Sequence, residues 1–450
     1  MKISIVGSGY VGLITGISLS SLGHKVVCIE SNKDKVTTIN SGKSPFYEPG
    51  IELALQAAIK KGLLQATESL EEGVINSDIT IVAVGTPTVN NKIDLTFIKK
   101  ASEEIGRALR KTNKYHVITV KSTVLPGVTE QVIKPIIEKY SHKNSNEYGL
   151  CMSPEFLSEG TALKDALSPD RIVIGQYDDQ SGKEFAKVYK KSLAPIVFTN
   201  LWTAELIKYT ANSLLATLIS FSNEIAKIAE TTGKVDVLDV WKGVHLDKRL
   251  SPIDGKIRIK PGILKFILSG CGYGGSCFPK DTKALVSFAN DIGAEASLIK
   301  SVVEINNSQP LRTVKLLKEV LGRDLTNKKI TVLGLTFKPD TDDLRESPAF
   351  PIINELISEG ATVVGHDPKA YKEGVPAQLS SLRMTLAGSL EEALRGADGT
   401  IVVTSWDEYI KLTPKIFKDL MKLPVVIDGR RIYDKNAFTN AGVIYKGIGL

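Results

Sequence analysis

Long apolar runs, clustered charge and paired cysteines are all missing from this chain of 450 residues. No apolar stretch approaches the roughly 20 residues that a membrane-spanning helix needs, so no membrane role is expected. The opening MKISIVGSGYVG lacks the layout of a secretory leader, because its apolar residues belong to a strand that runs into a glycine turn. Four cysteines are too few for a disulfide scaffold and suit a reducing cytoplasm. The formal net charge of +7 is carried by lysines spread along the chain. That pattern does not ask for nucleic acid, and a mildly basic surface suits an anionic small substrate. What is present is an ordinary globular composition, 42% hydrophobic and 24% charged, with length for two or three domains.

Residues 3–6, ISIV, read as a short buried strand. Gly7-Ser8-Gly9-Tyr10-Val11-Gly12 follows, then LITGISLSSLG with helical periodicity, then a second strand, KVVCIE, closing on Glu30. Strand, G-x-G-x-x-G, helix, strand and terminal acid form a dinucleotide fingerprint in its context. Gly7 serves the tight turn, Gly9 the approach of backbone to a pyrophosphate, and Gly12 the packing of helix on strand. Free N–H groups at the helix start face the phosphates. Glu30 suits the ribose hydroxyls and repels a 2′-phosphate, which favours NAD over NADP. The bland alternative is a βαβ turn without a ligand. Strands in 77–87 and 115–124 end in Thr86 and in Ser122-Thr123, at the edge where a doubly wound sheet binds ligands. Taken singly, a strand-end threonine is more often turn chemistry. In YGLCMSPEFLSEG (148–160), Glu155 and Glu159 stand four apart. On a helix they would share one face, but Pro154 and Phe156 favour an ordered loop. Cys28 and Cys151 read as inert core thiols.

Residues 201–231 carry the longest helical pattern, with Leu206, Tyr209, Leu214, Leu218, Phe221, Ile225 and Ile228 near helical spacing and Gly233 as a stop. Its breadth predicts burial on more than one side. Lys208 and Asn212 stand four apart on it, and such a lysine must find a partner or snorkel to water. GCGYGGSCFPKDT (270–282) poses a choice between phosphate loop, metal site and nucleophile cradle. It lacks the G-K-[ST] ending of a phosphate loop. Cys271 and Cys277 are six apart with no second cysteine or histidine pair close by, which makes a poor zinc site. With Pro279 in the first turn of a helix, Cys277 sits at that helix's N-terminus, where the dipole and Lys280 favour thiolate. Asp281 is near enough to help orient a water. This is the layout of an activated nucleophile, and Cys271 lacks those neighbours. From 329 a second βαβ pattern runs through KITVLG, ATVVGHDP, GTIVVTSW and PVVIDGRRIY. It has no glycine fingerprint, so a second dinucleotide is not expected there in the same manner. NNSQPLRTVKLLKEVLGRDLTNK reads as a helix and a polar connection, a boundary near 310–328.

GYGGSCFPKD resembles the active-site signature of the UDP-glucose/GDP-mannose 6-dehydrogenase family. GSGYVGL, YEPGIE, VAVGTP, KSTVLPGVT, SPEFLSEG, ELIKYTANSLLA, FKPDTDDLRESPA and DGRRIY appear in that family's order along the chain. GGSCFPKD with FKPDTDDLRESP is more similar to the UDP-glucose branch than to the GDP-mannose branch. The UDP-N-acetylhexosamine enzymes usually carry histidine, not serine, before the cysteine. The resemblance implies an α/β fold of two Rossmann-like doubly wound lobes joined by a long central helix. Its parts would be an NAD-binding domain over 1–200, a central helical dimerisation domain with the cysteine loop over 201–310, and a UDP-sugar-binding domain over 311–450. It implies NAD as cofactor, UDP-glucose as substrate, no metal, a homodimer, and a four-electron oxidation through a thiohemiacetal and thioester on Cys277.

The same resemblance assigns roles. Lys208 and Asn212 would hold the oxyanion, Asp281 and Thr123 would position the base or the water, and Glu155 would act as acid–base group or hold the water chain. Gly7, Gly9, Val11, Gly12, Glu30, Lys35, Thr86, Thr123, Glu159, Lys280 and Arg345 would touch NAD. Glu155, Phe156, Leu157, Lys208, Asn212, Gly274, Lys338, Arg430 and the segment Phe266, Ile267, Leu268, Ser269 and Gly270 would touch the sugar nucleotide, with Arg431 competing with Arg430. In the family an arginine reaches a partner's active site. Arg249 matches it by its LDKR context, whereas Arg258 lies closer to the glycine run. GDP-mannose or another nucleotide sugar as substrate, and a non-catalytic sensor on this scaffold, are the other readings.

Overall fold

Strands covered on both faces are buried at consecutive residues, not at alternate ones, and are mostly apolar. Residues 3–6, ITIV (79–82) and VITV (117–120) meet that condition, their few hydroxyl side chains being buried as well. The computed structural model describes residues 1–89, 92–371 and 374–450, and the chain forms two compact units, Met1–Ala211 and Asn212–Leu450.

The first unit contains β1 (Lys2–Val6), α1 (Tyr10–Ser21), β2 (Lys25–Ile29), β3 (Leu64–Thr67), β4 (Ile79–Val82), β5 (Val117–Val120), β6 (Gly149–Met152), β7 (Ile172–Gln176) and β8 (Ile196–Asn200). These strands make one sheet in the order β8-β7-β6-β5-β4-β1-β2-β3. From β3 to β6 the pairs are parallel, which is the 3-2-1-4-5-6 order of a doubly wound nucleotide-binding sheet. β7 pairs antiparallel with β6 and carries β8 with it. Ile3, Ile5, Ile79, Ile81, Val117 and Ile118 are at most 2% exposed, and each such side chain stabilises by about 1.5–3 kcal/mol on leaving water.

α2 (Leu201–Thr232) follows β8 directly. Gly233, at φ +64°, ends it in the left-handed region. The expected burial on more than one side is not met within the chain: Leu206, Leu214, Phe221 and Ile228 are 43% to 57% exposed. The inward face is built from Tyr209 together with small and polar residues, Ala204, Lys208, Ala216, Ala226 and Ala229.

The second unit contains α3 (Phe278–Asp291), α4 (Ser297–Ser308), α5 (Leu311–Leu321), β9 (Lys329–Leu333), β10 (Thr362–His366), β11 (Thr385–Leu386), β12 (Gly399–Val402), β13 (Val425–Asp428) and β14 (Ile444–Gly447). The sheet order β11-β10-β9-β12-β13-β14, parallel throughout, repeats the first unit's 3-2-1-4-5-6. The turns after the first strands match as well, with Gly7 at φ +96° and Gly334 at φ +95°.

Gly12 sets how closely α1 packs on β1, because a Cβ there would lie 1.9 Å from the Gly7 carbonyl oxygen. Gly12→Ala is expected to lower stability by about 1–3 kcal/mol, the usual range for overpacking, read as the midpoint of urea unfolding. An unchanged midpoint would show that α1 slides away freely.

Candidate active site

The switch point of the first sheet lies between β1 and β4, where a doubly wound fold binds its ligand. Gly9 is the N-cap of α1 and offers no side-chain cap, so the first N–H groups of the helix remain for a ligand. A Cβ on Gly9 would meet nothing within 4 Å, which is the room a pyrophosphate requires. Val11 is half-buried in the first turn. Glu30 follows β2; it accepts from Ser8 N at 3.3 Å and Asn32 N at 3.1 Å. Lys35 is exposed on the helix that Asn32 caps. Thr86 Oγ1 donates to Thr123 O at 2.7 Å, which brings the two strand-end threonines together. These residues fit a dinucleotide.

The second sheet does not offer the same fit. Asp367 follows β10 as Glu30 follows β2, but it is 3% exposed. Its carboxylate already accepts from Leu335 N, Thr336 N and Oγ1, Lys369 N, Ala370 N and Trp406 Nε1. No acceptor capacity is left for a ribose.

Beyond β6 the chain is an ordered loop, as Pro154 and Phe156 indicate. Glu155, 7% exposed, pairs with Lys208 Nζ at 2.7 Å and accepts from Leu157 N at 2.6 Å. Lys208 is therefore a buried, partnered lysine and does not snorkel. Burial alone would raise the Glu155 carboxyl; the Lys208 ammonium, with the Leu157 N–H and Lys121, outweighs it and holds the group below its ordinary range. Lys121, just past β5, donates to Ser153 O at 3.4 Å. Burial pulls its ammonium down to about 8, with Glu155 opposing and Lys208 adding to the fall. Phe156 lies under the Arg171 guanidinium, 3.7 Å from its ring centre, with the Lys208 ammonium at 5.7 Å. Leu157 and Glu159 are half-buried.

In the second unit, Cys277 is the N-cap of α3, with Pro279 in the first turn. It is half-buried, whereas Cys28, Cys151 and Cys271 are buried. Burial pushes the thiols of those three up, Cys28 to about 12 and Cys271 to about 11. Ser276 Oγ lies 3.5 Å from Cys277 Sγ. Asp281 N closes the first turn on Cys277 O at 2.8 Å. Its carboxylate, 1% exposed, accepts from Asn212 Nδ2 at 2.6 Å and pairs with Lys280.

Of the 266–270 segment, Phe266 is half-buried, Ile267, Ser269 and Gly270 face inward, and Leu268 is 43% exposed. Arg430 donates to Val403 O at 2.5 Å and to Gly272 O at 3.3 Å. Arg431 turns away to Asp236, at 2.8 Å. Gly274 leaves no room for a Cβ, which would lie 2.3 Å from Glu346 O; the protein's own backbone already requires glycine there. Lys338 lies over Phe337, and Arg345 chelates Asp343 through Nε and Nη2 at 2.8 and 2.7 Å. Arg249 is exposed and paired with Asp247, while Arg258 is spent on Leu246 O and Ser251. Among the described residues no cluster of His, Cys, Asp and Glu could hold a metal ion, and no helix is long and apolar enough to cross a membrane.

Three family models match in sequence: the NAD binding domain of the UDP-glucose/GDP-mannose dehydrogenase family at 1–193, its central domain at 202–308 and its UDP binding domain at 331–435. The UDP-glucose 6-dehydrogenase of Rhizobium meliloti is 36% identical over 456 residues, covering 100% of this chain and 99% of the relative. The chain belongs to this dehydrogenase family. UDP-glucose 6-dehydrogenase AglM of Haloferax volcanii is 39% identical, covering 96% of this chain and 97% of its own. The solved UDP-glucose dehydrogenase of Pyrobaculum islandicum superposes with a TM-score of 0.89 at 36% identity, covering 99% and 97%. This dehydrogenase uses NAD.

Two buried carboxylates of the dehydrogenase escape sequence reading. Glu48, in YEPGIE, accepts from Tyr10 OH at 2.5 Å and from Gly160 N at 2.7 Å, tying α1 to the SEG loop. Glu205 on α2 is fully buried and accepts from Gly127 N at 2.6 Å and Thr129 N at 2.8 Å. Burial pushes Glu205 up to about 7, the two N–H bonds opposing and Glu130 reinforcing. Because the native state holds this proton more tightly than the unfolded chain, the group's contribution is full below pH 4.5 and is lost as pH rises through about 7. The loss is on the order of 3 kcal/mol. Melting curves from pH 4 to 9 are expected to show this decline in the wild type and not in Glu205→Gln; parallel profiles would refute it.

Proposed function

We propose that the chain oxidises the C6 alcohol of UDP-glucose to the carboxylate of UDP-glucuronate in two successive two-electron steps at one thiol. The observation that carries this reading is Cys277, half-buried and the N-cap of α3 at the end of the glycine cradle, with the Asn212–Asp281 pair beside the first turn. The relatives, named as UDP-glucose dehydrogenases, supply the sugar. When bound, NAD supplies the hydride acceptor for both oxidations. Lys208 and Asn212, one turn apart on α2, donate to the C6 oxygen as negative charge builds on it. Cys277 Sγ adds to the aldehyde carbon and keeps the reactive carbonyl bound as a thiohemiacetal. The second oxidation leaves a thioester, and water breaks the C–S bond, returning the thiol and releasing the carboxylate. Asp281, Thr123 and Glu155 position that water or pass its protons, and Lys121 is a further group able to hold a proton near neutral pH.

The NAD edge is assigned to the Gly7–Gly12 turn, Glu30, Lys35, Thr86, Thr123, Glu159, Lys280 and Arg345, and the sugar nucleotide to 266–270, Gly274, Lys338 and Arg430. The three matched segments support a division near 1–200, 201–310 and 311–450. A reducing cytoplasm suits Cys277 as a thiol.

Purified protein is expected to form two NADH per UDP-glucose consumed, read by absorbance; one NADH with free aldehyde released would overturn the mechanism. Cys277→Ser is expected to cut turnover on the order of 100-fold or more at an unchanged melting midpoint. Cys271→Ser should stay near wild type, since that S–H only donates to Gly429 O, at 3.4 Å, from a fully buried site.

We also propose a homodimer. Leu214, Phe221 and Ile228 recur every seven residues on α2, which puts them on one stripe, and each is about half exposed in the single chain. Sedimentation velocity is expected to give a dimer for the wild type and a monomer for Phe221→Asp; an active wild-type monomer at assay concentration would refute the dimer.

A further inference from the structure

The backbone from Gly270 to Gly275 is buried throughout, yet four of these six residues are glycines. A glycine run has the most conformational freedom to lose and no side chains to hold it. Buried N–H and C=O groups also need partners, and here a sheet does not provide them. Three side-chain amides do. Gly270 N donates to Asn223 Oδ1 at 2.8 Å, and Gln309 Nε2 donates to Gly270 O at 2.8 Å. Tyr273 N donates to Asn306 Oδ1 at 2.8 Å, and Asn306 Nδ2 returns a bond to Tyr273 O at 3.0 Å. A primary amide carries a donor and an acceptor together, so Asn306 satisfies Tyr273 as a neighbouring β-strand would. Gly272, at φ +91°, completes the fit, since a Cβ there would lie 2.6 Å from Asn306 Oδ1. Asn306 and Gln309 come from the last turn of α4 and the residue after it, in the NNSQ run just ahead of the boundary near 310–328. From the other side, Gly275 N donates to Arg345 O at 2.9 Å.

We infer that Asn223, Asn306 and Gln309 are positioning residues: their amides clamp the 270–273 backbone and thereby aim the Cys277 thiol. The inference rests on Cys277 being the nucleophile. Between Tyr273 and Cys277 stand Gly274, Gly275 and Ser276. Slack at Tyr273 therefore reaches the thiol across a three-residue run held at one further point, Gly275 N on Arg345 O, and reacting groups must be held to within about 0.5 Å.

The test uses the full chain with Asn306→Ala, the isosteric Gln309→Glu, Cys277→Ser, and Asn307→Ala as a control at the exposed neighbour. Asn306→Ala and Gln309→Glu are expected to lower kcat about tenfold or more, while KM for NAD stays near wild type and the melting midpoint falls by only the few degrees that orphaned buried backbone groups cost. The pH profile of Cys277 alkylation by iodoacetamide should move in both, and Asn307→Ala should match wild type in every readout. If Asn306→Ala does not fold, Gln309→Glu decides alone. Wild-type kcat and an unmoved alkylation profile in the folded clamp variants, beside an inactive Cys277→Ser, would overturn the clamp only. Full turnover in Cys277→Ser would instead overturn the nucleophile reading on which it rests.

Discussion

A buried charge or polar group is tolerable only where a partner is already in place, and α2 meets that condition five times. Glu205 receives the N–H groups of Gly127 and Thr129, Lys208 pairs with Glu155, and Asn212 donates to Asp281. Asn223 accepts from Gly270 N, and Glu230 pairs with Arg312 and accepts from Gly449 N. At 3.6 residues per turn these five positions fall within about 60° of one another around the helix axis. The helix thus presents one polar column, and most of what it holds is loop backbone or a residue standing on a loop. Two of the partners it holds, Glu155 and Asp281, are residues to which the proposed mechanism gives a role.

The two sheets share a strand order and a glycine turn but differ in the use of one acid. Glu30 accepts from two backbone N–H groups and keeps capacity over, whereas Asp367 is saturated by four backbone N–H groups and two side-chain donors. The difference is one of saturation rather than residue type. It separates a sheet that offers hydrogen-bonding capacity to a dinucleotide from one that uses the same position to lock its turn.

The electrostatics of the first unit follow from a similar economy. Glu155 stays ionised although it is buried, because Lys208 lies against it. Lys121, with a single long bond to a carbonyl, is pulled towards neutrality in the same surroundings. Two lysines and one carboxylate in one place cannot all be satisfied, and the surplus cation is the one that titrates.

Much was legible in the chain itself. The fingerprint glycines, the long helix with its glycine stop, and Cys277 at a helix start are local patterns, written in residue type and spacing and tied to backbone geometry within a few residues. Glu48, Lys121, Glu205, Asn306 and Gln309 left no such mark. Their partners are mostly backbone groups or charges brought together from elsewhere in the chain, and any loop supplies N–H and C=O groups whatever its sequence. The choice of Arg430 over Arg431 near the glycine loop, and the exposure of the apolar stripe on α2, were likewise decided only in three dimensions. Adjacent residues and helix faces acquire different neighbours when the chain folds, and burial is a property of those neighbours rather than of the side chain alone.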